Sequence, residues 1–358
     1  MDSANTKITK ETKNKIVVDY DGKMTAKERF MKKLKASNTW IKTAVSVLKF
    51  ILMLGVSYVI LFPFFSKIAG SFMSRSDVVD ATVSLIPKQF TFDQYKYIFL
   101  DNHYPEAFLN TLLLSVACAL IQTFVACLVG YGLAKFKFKG NKIVMGLVVV
   151  TMIIPHSALD LVMLQHFTHF DILRIMSIND TGIITLIAES VTGHAIDATN
   201  TFLPFIVLSL GGIAFKNGLY IYMMRQFFKG VPDELEESAY VDGCGTFRTF
   251  LSIILPLSVP MMITIFLFSF SWQWSDQFYT GLFFTLDGAN GGSWMMTDVI
   301  KISEDLKFHL RTDFAGRTIW ENVIQNTAGM MVIMPLIVMY LFCQKYLVQG
   351  IERSGLVG

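Results

Sequence analysis

The residues of this 358-residue chain that could do chemistry are scattered where catalysis would need them gathered. Cys118, Cys127, Cys244 and Cys343 show no Cys-x-x-Cys or Cys/His spacing, so neither a zinc site nor a disulfide framework is indicated. His166 and His169 stand three apart and could share a helix face, but no carboxylate at matching spacing completes a metal site. A Gly-xxxx-Gly-Lys-Ser/Thr loop is absent, so the chain lacks the P-loop means of holding ATP. No cluster of His, Asp or Ser has catalytic spacing at a common depth, and an enzyme is not expected. What remains is one acidic segment and a few charges set in apolar surroundings.

The acidic segment runs from Arg225 to Pro256. Asp233, Glu234, Glu236, Glu237 and Asp242 outnumber Lys229 and Arg248 in it. Pro232 followed by Asp233 and Glu234 is a helix start, because proline fits the first turn and carboxylates favour the positive end of the helix dipole. Leu235, Ala239 and Val241 can line a nonpolar side of a short helix, and Gly243 and Gly245 are stop signals. A second helix restarts near Thr246, with Pro256 at its entry into an apolar run. The expectation is a compact knob of helix, glycine break and helix.

The elements that must carry this knob are membrane spans. Hydrophobic residues make up 53% of the chain, charged residues only 16%, and the mean hydropathy is +0.49; soluble domains carry about 25% charged residues. A span needs about 20 apolar residues to cross about 30 Å of hydrocarbon. Six runs qualify: 43–65, 107–135, 143–165, 202–228, 250–272 and 327–346. The first is read as a retained span, since no small-residue cleavage site follows it.

Lys and Arg near span ends are held on the cytoplasmic side. Residues 1–45 carry eleven of them, and Lys135, Lys137, Lys139 and Lys142 crowd the loop after span two. The segment 167–201 has only Arg174. The sequence therefore predicts an all-α membrane protein of six transmembrane helices with both termini cytoplasmic and the acidic knob in the cytoplasmic loop between spans four and five. Residues 1–42 form a Lys-rich arm near anionic lipid, and 43–358 form the six-span domain. A net charge of +3 is too mild to imply nucleic acid.

Within the spans, Lys216 lies about a dozen residues, or about 18 Å, from the inner end of span four. A charge near mid-membrane should face the bundle or a polar cavity, which marks a translocation path or gate. The alternative is a break at Gly211, Gly212 or Gly218 that leaves Lys216 wet or paired. Asp160, His156 and Gln122 are further path candidates, each also readable as a satisfied group inside the bundle. Trp272, Trp274 and Asp276 could meet a solute near the outer mouth by ring stacking and hydrogen bonding, or the tryptophans could anchor the interface.

The acidic segment resembles the EAA loop of ABC importer permeases. Glu237, Ser238 and Ala239 are followed at that motif's spacings by Gly243, Ile253, Leu255 and Pro256, with Ser238 the one departure. The flanking Arg225-Gln-Phe-Phe228 and the Asp242-Gly243 pair, with the tail from Gln344 to Gly355, resemble the carbohydrate, MalG-like branch. Trp274-Ser-Asp276, where relatives carry Trp-Asn-Asp, departs from it.

This resemblance implies a sugar permease subunit in the plasma membrane of a bacterium. Its partners would be a homologous permease subunit, two ATPase subunits that hold the ATP, and an extracellular solute-binding protein. It implies a coupling loop at 229–256, in which Glu234, Glu237 and Asp242 lie on the docking surface, Ser238 and Ala239 pack closely and Gly243 makes the turn. Rival readings are a permease for another solute class and an ATP-independent secondary transporter, which would need ion-coupling carboxylates in its spans.

Overall fold

A computed structural model describes residues 9–11, 17–19, 37–168, 170, 197–284, 294–303, 306 and 317–353. The chain divides into two compact units, Met1–Ser66 and Lys67–Gly358. In the first, β1 (Thr9–Glu11) pairs antiparallel with β2 (Val17–Asp19), with Lys10 opposite Val18. Among the described residues it is the one β-sheet, and it lies in the stretch expected to be an arm. Helix α1 (Ser37–Gly70) follows, its last residues from Lys67 belonging to the second unit. Its large apolar side chains from Trp40 to Phe65 are exposed, as a helix needs to be to meet lipid or another apolar surface.

The second unit is a bundle around α4 (Tyr104–Lys135), preceded by the short helices α2 (Arg75–Val79) and α3 (Asp93–Asp101). After α4 come α5 (Asn141–Ile153), a 3-10 turn His156–Leu159, α6 (Asp160–Thr168), α7 (Leu203–Leu210) and α8 (Asn217–Lys229). Helix α9 (Glu234–Val241) leads to α10 (Thr246–Trp274), which runs on through a π-helical stretch at Phe250–Ile254. Pro256 lacks the N–H that an α-helical ladder needs, and the widened turn precedes it. Helices α11 (Phe278–Phe283), α12 (Met296–Val299) and α13 (Arg317–Arg353) complete the unit.

Among the described residues four helices, α1, α4, α10 and α13, are long and apolar enough to cross a membrane; α5 with the 3-10 turn and α6 makes a fifth if the pair is one bent span. Two of the six expected spans are therefore not continuous helices. The third bends by 94° between Ile153 and His156. Pro155 supplies no donor, and it biases Ile154 to the extended backbone seen there (φ −64°, ψ 121°).

The segment expected to be the fourth span is broken between α7 and α8. Gly212 takes φ 70° and Lys216 takes φ 64°, so the chain turns through the left-handed region twice. Glycine does this freely, whereas lysine is held there at a cost of about 1 kcal/mol or more. The broken backbone finds its partners inside the protein: Ile213 and Ala214 both donate to Leu208 O, at 3.1 and 3.0 Å, and Asn217 N donates to Ala214 O at 2.9 Å. Irregular backbone at membrane depth requires this internal satisfaction.

Helices α4 and α8 meet at Gly130. A methyl group built there would lie 2.6 Å from Met224 Cβ and 3.0 Å from Arg225 N, so only glycine lets the two backbones approach this closely. Gly218 plays the same part between α8 and α5, its added carbon falling 2.6 Å from Thr151 Oγ1 and 3.0 Å from Val148 O.

The last residue of α4 captures the next hairpin. Lys135 Nζ donates to Val231 O at 2.7 Å and to Asp233 Oδ1 at 2.5 Å, and lies 3.8 Å from Glu236 Oε1. One turn earlier Tyr131 donates to Glu236 Oε2 at 3.5 Å. The Lys135 side chain is 7% exposed and Asp233 is 79% exposed, so the ammonium reaches outward from the bundle to hold the start of α9. The hydrogen bond from Lys135 holds the Asp233 carboxyl below its ordinary range. Because the folded value is depressed, this pairing is complete at neutral pH and is lost only as pH falls through the acid range.

Two outcomes follow from these contacts. Gly130→Ala should lower stability by about 1–3 kcal/mol through overpacking, whereas Gly132→Ala, with nothing within 4 Å of its added carbon, should not; equal thermal unfolding of the two in detergent would contradict the close approach. Lys135→Met should make the 231–246 hairpin the first site of limited proteolysis, and exposed Lys139→Met should not. Unchanged cleavage in Lys135→Met would remove the clamp from the argument.

Candidate functional site

Two sites are built on this frame, one at each side of the Gly130 contact. The first is the α9 hairpin. Asp233 O accepts from the N–H groups of Glu236 and Glu237, both at 3.0 Å, which starts the helix. Gly243 ends it with φ 80° and nothing within 4 Å of its Cβ position. Ser238 Oγ donates to Glu234 O at 2.7 Å within the same turn, so the serine in place of alanine is satisfied locally.

Glu234, Glu237, Ser238, Asp242 and Gly243 are exposed, while Ala239 is buried. The expected nonpolar side is corrected in one respect. Only Ala239 turns inward; Leu235 is half-exposed and Val241 is 87% exposed, because α9 has just two turns and only its Ala239 and Glu236 edge reaches the bundle. Phe247, on the restarted helix, is 73% exposed. Acidic side chains and large apolar ones thus share a free surface.

The second site is a cleft inside the bundle, lined by Gln122, Phe215, Ser269, Trp272, Gln273, Asp276 and Tyr279. The Gln122 side chain bridges two helices, donating through Nε2 to Ser209 Oγ at 3.1 Å and accepting from Ser269 Oγ at 2.8 Å. Asp276 accepts from the N–H groups of Phe278, Tyr279 and Thr280 at 3.1–3.3 Å and so caps α11. His156 Nδ1 is bonded to Tyr279 Oη, tying the bend at Pro155 to the cleft wall.

Lys216 stands beside this cleft. Its ammonium lies 4.8 Å from the centre of the Phe215 ring and 5.1 Å from that of Trp272, within the range of cation–π attraction. The break in span four moves this lysine from mid-helix to the residue before α8, and no ion-pair partner falls within 4.0 Å of it among the described residues.

Trp274 does not join the cleft. It is fully buried, donates from Nε1 to Val332 O at 2.9 Å, meets Phe108 edge to face and stacks with Phe270. One hundred degrees of helical rotation per residue gives Trp272 the wall position and Trp274 the core. Asp160 begins α6 and does not line the cleft; its Oδ1 is buried without a hydrogen-bond partner. His169, Arg174 and the tail beyond Arg353 lie outside the described residues.

Sequence reading left Lys135, Glu236, Phe215, Gln273 and Tyr279 without a role. For the cleft a signal exists, since Ser269, Trp272, Gln273 and Asp276 recur at three- and four-residue spacing and mark one polar edge of an apolar helix. For Lys135 there is none, because its partners lie about a hundred residues on.

A family profile described as binding-protein-dependent transport system inner membrane component matches residues 122–353. The chain is 26% identical over 300 residues to a polygalacturonan/rhamnogalacturonan transport system permease protein of Bacillus subtilis, covering 83% of this chain and 92% of the relative. It is 27% identical over 319 residues to an arabinooligosaccharides transport system permease protein of the same organism, covering 88% and 96%. A probable starch degradation products transport system permease protein of Thermoanaerobacterium thermosulfurigenes is 27% identical over 290 residues, covering 81% and 89%.

In fold, the chain is similar to a crystal structure of a bacterial ABC transporter involved in the import of the acidic polysaccharide alginate. The TM-score is 0.60 at 18% identity, covering 91% of this chain and 99% of that one. With several apolar helices, a profile match over most of its length and the same overall fold, this multi-pass membrane protein belongs to the binding-protein-dependent transport system inner membrane components, a family of transport permease subunits and not of enzymes.

Proposed function

We propose that the chain is one permease subunit of an ATP-driven importer of sugars or oligosaccharides. It works with a homologous permease subunit, two ATPase subunits that hold the ATP, and an extracellular solute-binding protein. The relatives named above, whose names specify polygalacturonan/rhamnogalacturonan, arabinooligosaccharides and starch degradation products, support the sugar class. In this reading the chain crosses the membrane six times with both termini cytoplasmic. The bent α5–α6 pair is the third crossing and the broken α7–α8 pair the fourth, and the 1–42 arm lies against lipid.

The α9 hairpin docks the ATPase, with the 229–256 loop as the coupling element. The observation that carries this is the exposed pairing of Val241 and Phe247 with Glu234, Glu237 and Asp242 on a hairpin pinned by Lys135. An exposed apolar patch rimmed by charge is a protein-interaction surface, and a pinned one passes displacement to the helix that holds it. Closure of the ATPases then rotates α4, α8 and α10 as rigid bodies about the cleft. Lys216 and Asp276 sit on the translocation path in this scheme, and Asp160 is kept as a group that another conformation could uncover.

Purification with the candidate partners tests the reading. The ATPase should accompany the wild type, and Val241→Asp should reduce its recovery by about tenfold or more, the loss expected when a hot-spot side chain is removed. Val241 is 87% exposed, so the fold is spared. Gly243→Val, which forces a β-branched residue to φ 80°, should act in the same direction. Undiminished recovery in both variants would show that the hairpin is not the docking element.

A further inference from the structure

The chain between α1 and α4 is held at both ends to the membrane boundary. It leaves α1 at Gly70, passes through α2 and α3 and enters α4 at Tyr104, and both flanking helices are long and apolar enough to cross a membrane. Whatever this segment exposes is therefore presented at the surface of the bilayer, which in the topology proposed above is the outer one. What it exposes is aromatic. An antiparallel bridge sets Met73 opposite Phe90, and Thr91 N donates to Phe72 O at 3.0 Å. That pairing gathers three rings: Phe72 stacks on Phe90 at 4.8 Å, and Phe92 stands edge-on to both, at 5.6 and 5.2 Å. Ring clusters of this geometry belong to cores and interfaces, yet Phe90 is 63% exposed and Phe92 61%.

Buried polar groups hold the rings outward. Gln94 Nε2 donates to Met73 O at 2.5 Å, Ser71 Oγ and Tyr95 Oη share a hydrogen bond of 2.8 Å, and Asp77 Oδ2 accepts from Gln89 N at 2.8 Å. Ser71, Asp77 and Gln94 are all buried. A surface fixed in this way loses little further freedom when it meets a partner. The turns of α3 extend it. Phe92, Lys96, Phe99 and Leu100 recur at helical spacing and are exposed, while Gln94 and Ile98 are buried on the other side. Both ends run into the spans. Ser71 Oγ donates to Ile68 O in the last turn of α1 at 2.7 Å. Phe99 lies 6.0 Å, ring to ring, from Tyr104, which stacks at 6.1 Å on Phe108 one turn into α4.

We propose that this surface, carried by Phe90, Phe92, Phe99 and Leu100, rests in the headgroup layer of the bilayer as an interfacial foot between the two spans, with lipid as its partner. The depth follows from the polar groups that share it. Asp93 and Lys96 are exposed on α3 among the apolar side chains, and irregular backbone joins α2 to α3. Such a segment cannot enter hydrocarbon, where every backbone polar group must be satisfied within the protein. At headgroup level the rings reach the acyl boundary, the Lys96 stem lies along them and its ammonium meets phosphate. The polar side of the segment is the turn in which Asp80, Thr82 and Lys88 hydrogen-bond to one another, all of it open to water. Lipid takes the aromatic surface, water takes the turn, and the depth of α1 and α4 in the membrane is set between them. The foot rests on the membrane class of the chain and is independent of what the importer carries.

Spin-label accessibility tests the foot. The full chain, with the subunits that copurify with it, is placed in lipid nanodiscs after Cys244→Ser and Cys343→Ser remove the half-buried thiols; Cys118 and Cys127 are buried. A nitroxide is attached at Phe92→Cys or Leu100→Cys, in the patch, and for comparison at Ala81→Cys, exposed beside the polar turn. Oxygen concentrates in lipid and a nickel chelate in water, so the ratio of their effects on the label reads its depth. The ratio should be several-fold higher at positions 92 and 100 than at 81. A ratio at either patch position no higher than at 81 would place that side chain in water and overturn the proposal. Shielding from both reagents would overturn it too, since that is the signature of a covering protein, whether the solute-binding protein or the partner permease. Recovery of the chain without an ATPase would defeat the importer reading and leave this readout intact.

Discussion

The close approach of α4 and α8 at Gly130 is the contact on which the rest of the molecule depends. Without a side chain there, Met224 and Arg225 lie against the α4 backbone, and the two helices pack along their length. Eight residues before Gly130 is Gln122, which joins α7 to α10 across the interior; five residues after it is Lys135, which holds the hairpin. Both sites therefore take their positions from one unbroken helix, and anything that tilts α4 acts on both.

The second organising constraint is the satisfaction of backbone polar groups where water is scarce. Long helices meet it alone, and α4, α10 and α13 do so over 32, 29 and 37 residues. The two interrupted segments meet it by borrowing. Around Gly212 the freed amides return to Leu208, and Asn217 Nδ2 reaches toward Ser209 O at 3.5 Å. Such borrowing is possible only inside the bundle, so the breaks fall where polar side chains already gather, and the break sets Lys216 beside the cleft, over Phe215 and Trp272. Structural economy and site chemistry have the same cause here.

The clamp at Lys135 shows how a surface hairpin is made stiff enough to transmit force. Its hydrogen bonds run to a backbone carbonyl and to Asp233, with Glu236 close behind. A solvent-exposed ion pair alone would contribute little. Here the ammonium is almost wholly buried and the second carboxylate nearly so, which fixes the geometry of the helix start and leaves the outward face of α9 to make contacts elsewhere.

The sequence alone was enough for whatever depends on local composition and spacing. The membrane class, the cores of α1, α4, α10 and α13, the helix start at Pro232, the stop at Gly243 and the restart at Thr246 could all be read in it, because apolar run length, capping preference and positive φ are properties of short stretches. The tertiary structure decided what depends on distant partners. Trp272 and Trp274 look alike in the sequence, and only the packing against Phe108 and Val332 makes one a core residue and the other a wall. Lys135 and Asp233 are 98 residues apart, and Glu236 reads as one more surface acid until the end of α4 is set beside it. Apolarity across 202–228 suggested one helix, but whether a chain containing Gly211, Gly212 and Gly218 runs straight or breaks depends on whether neighbours can take up its freed amides, and that is settled only when the helices meet.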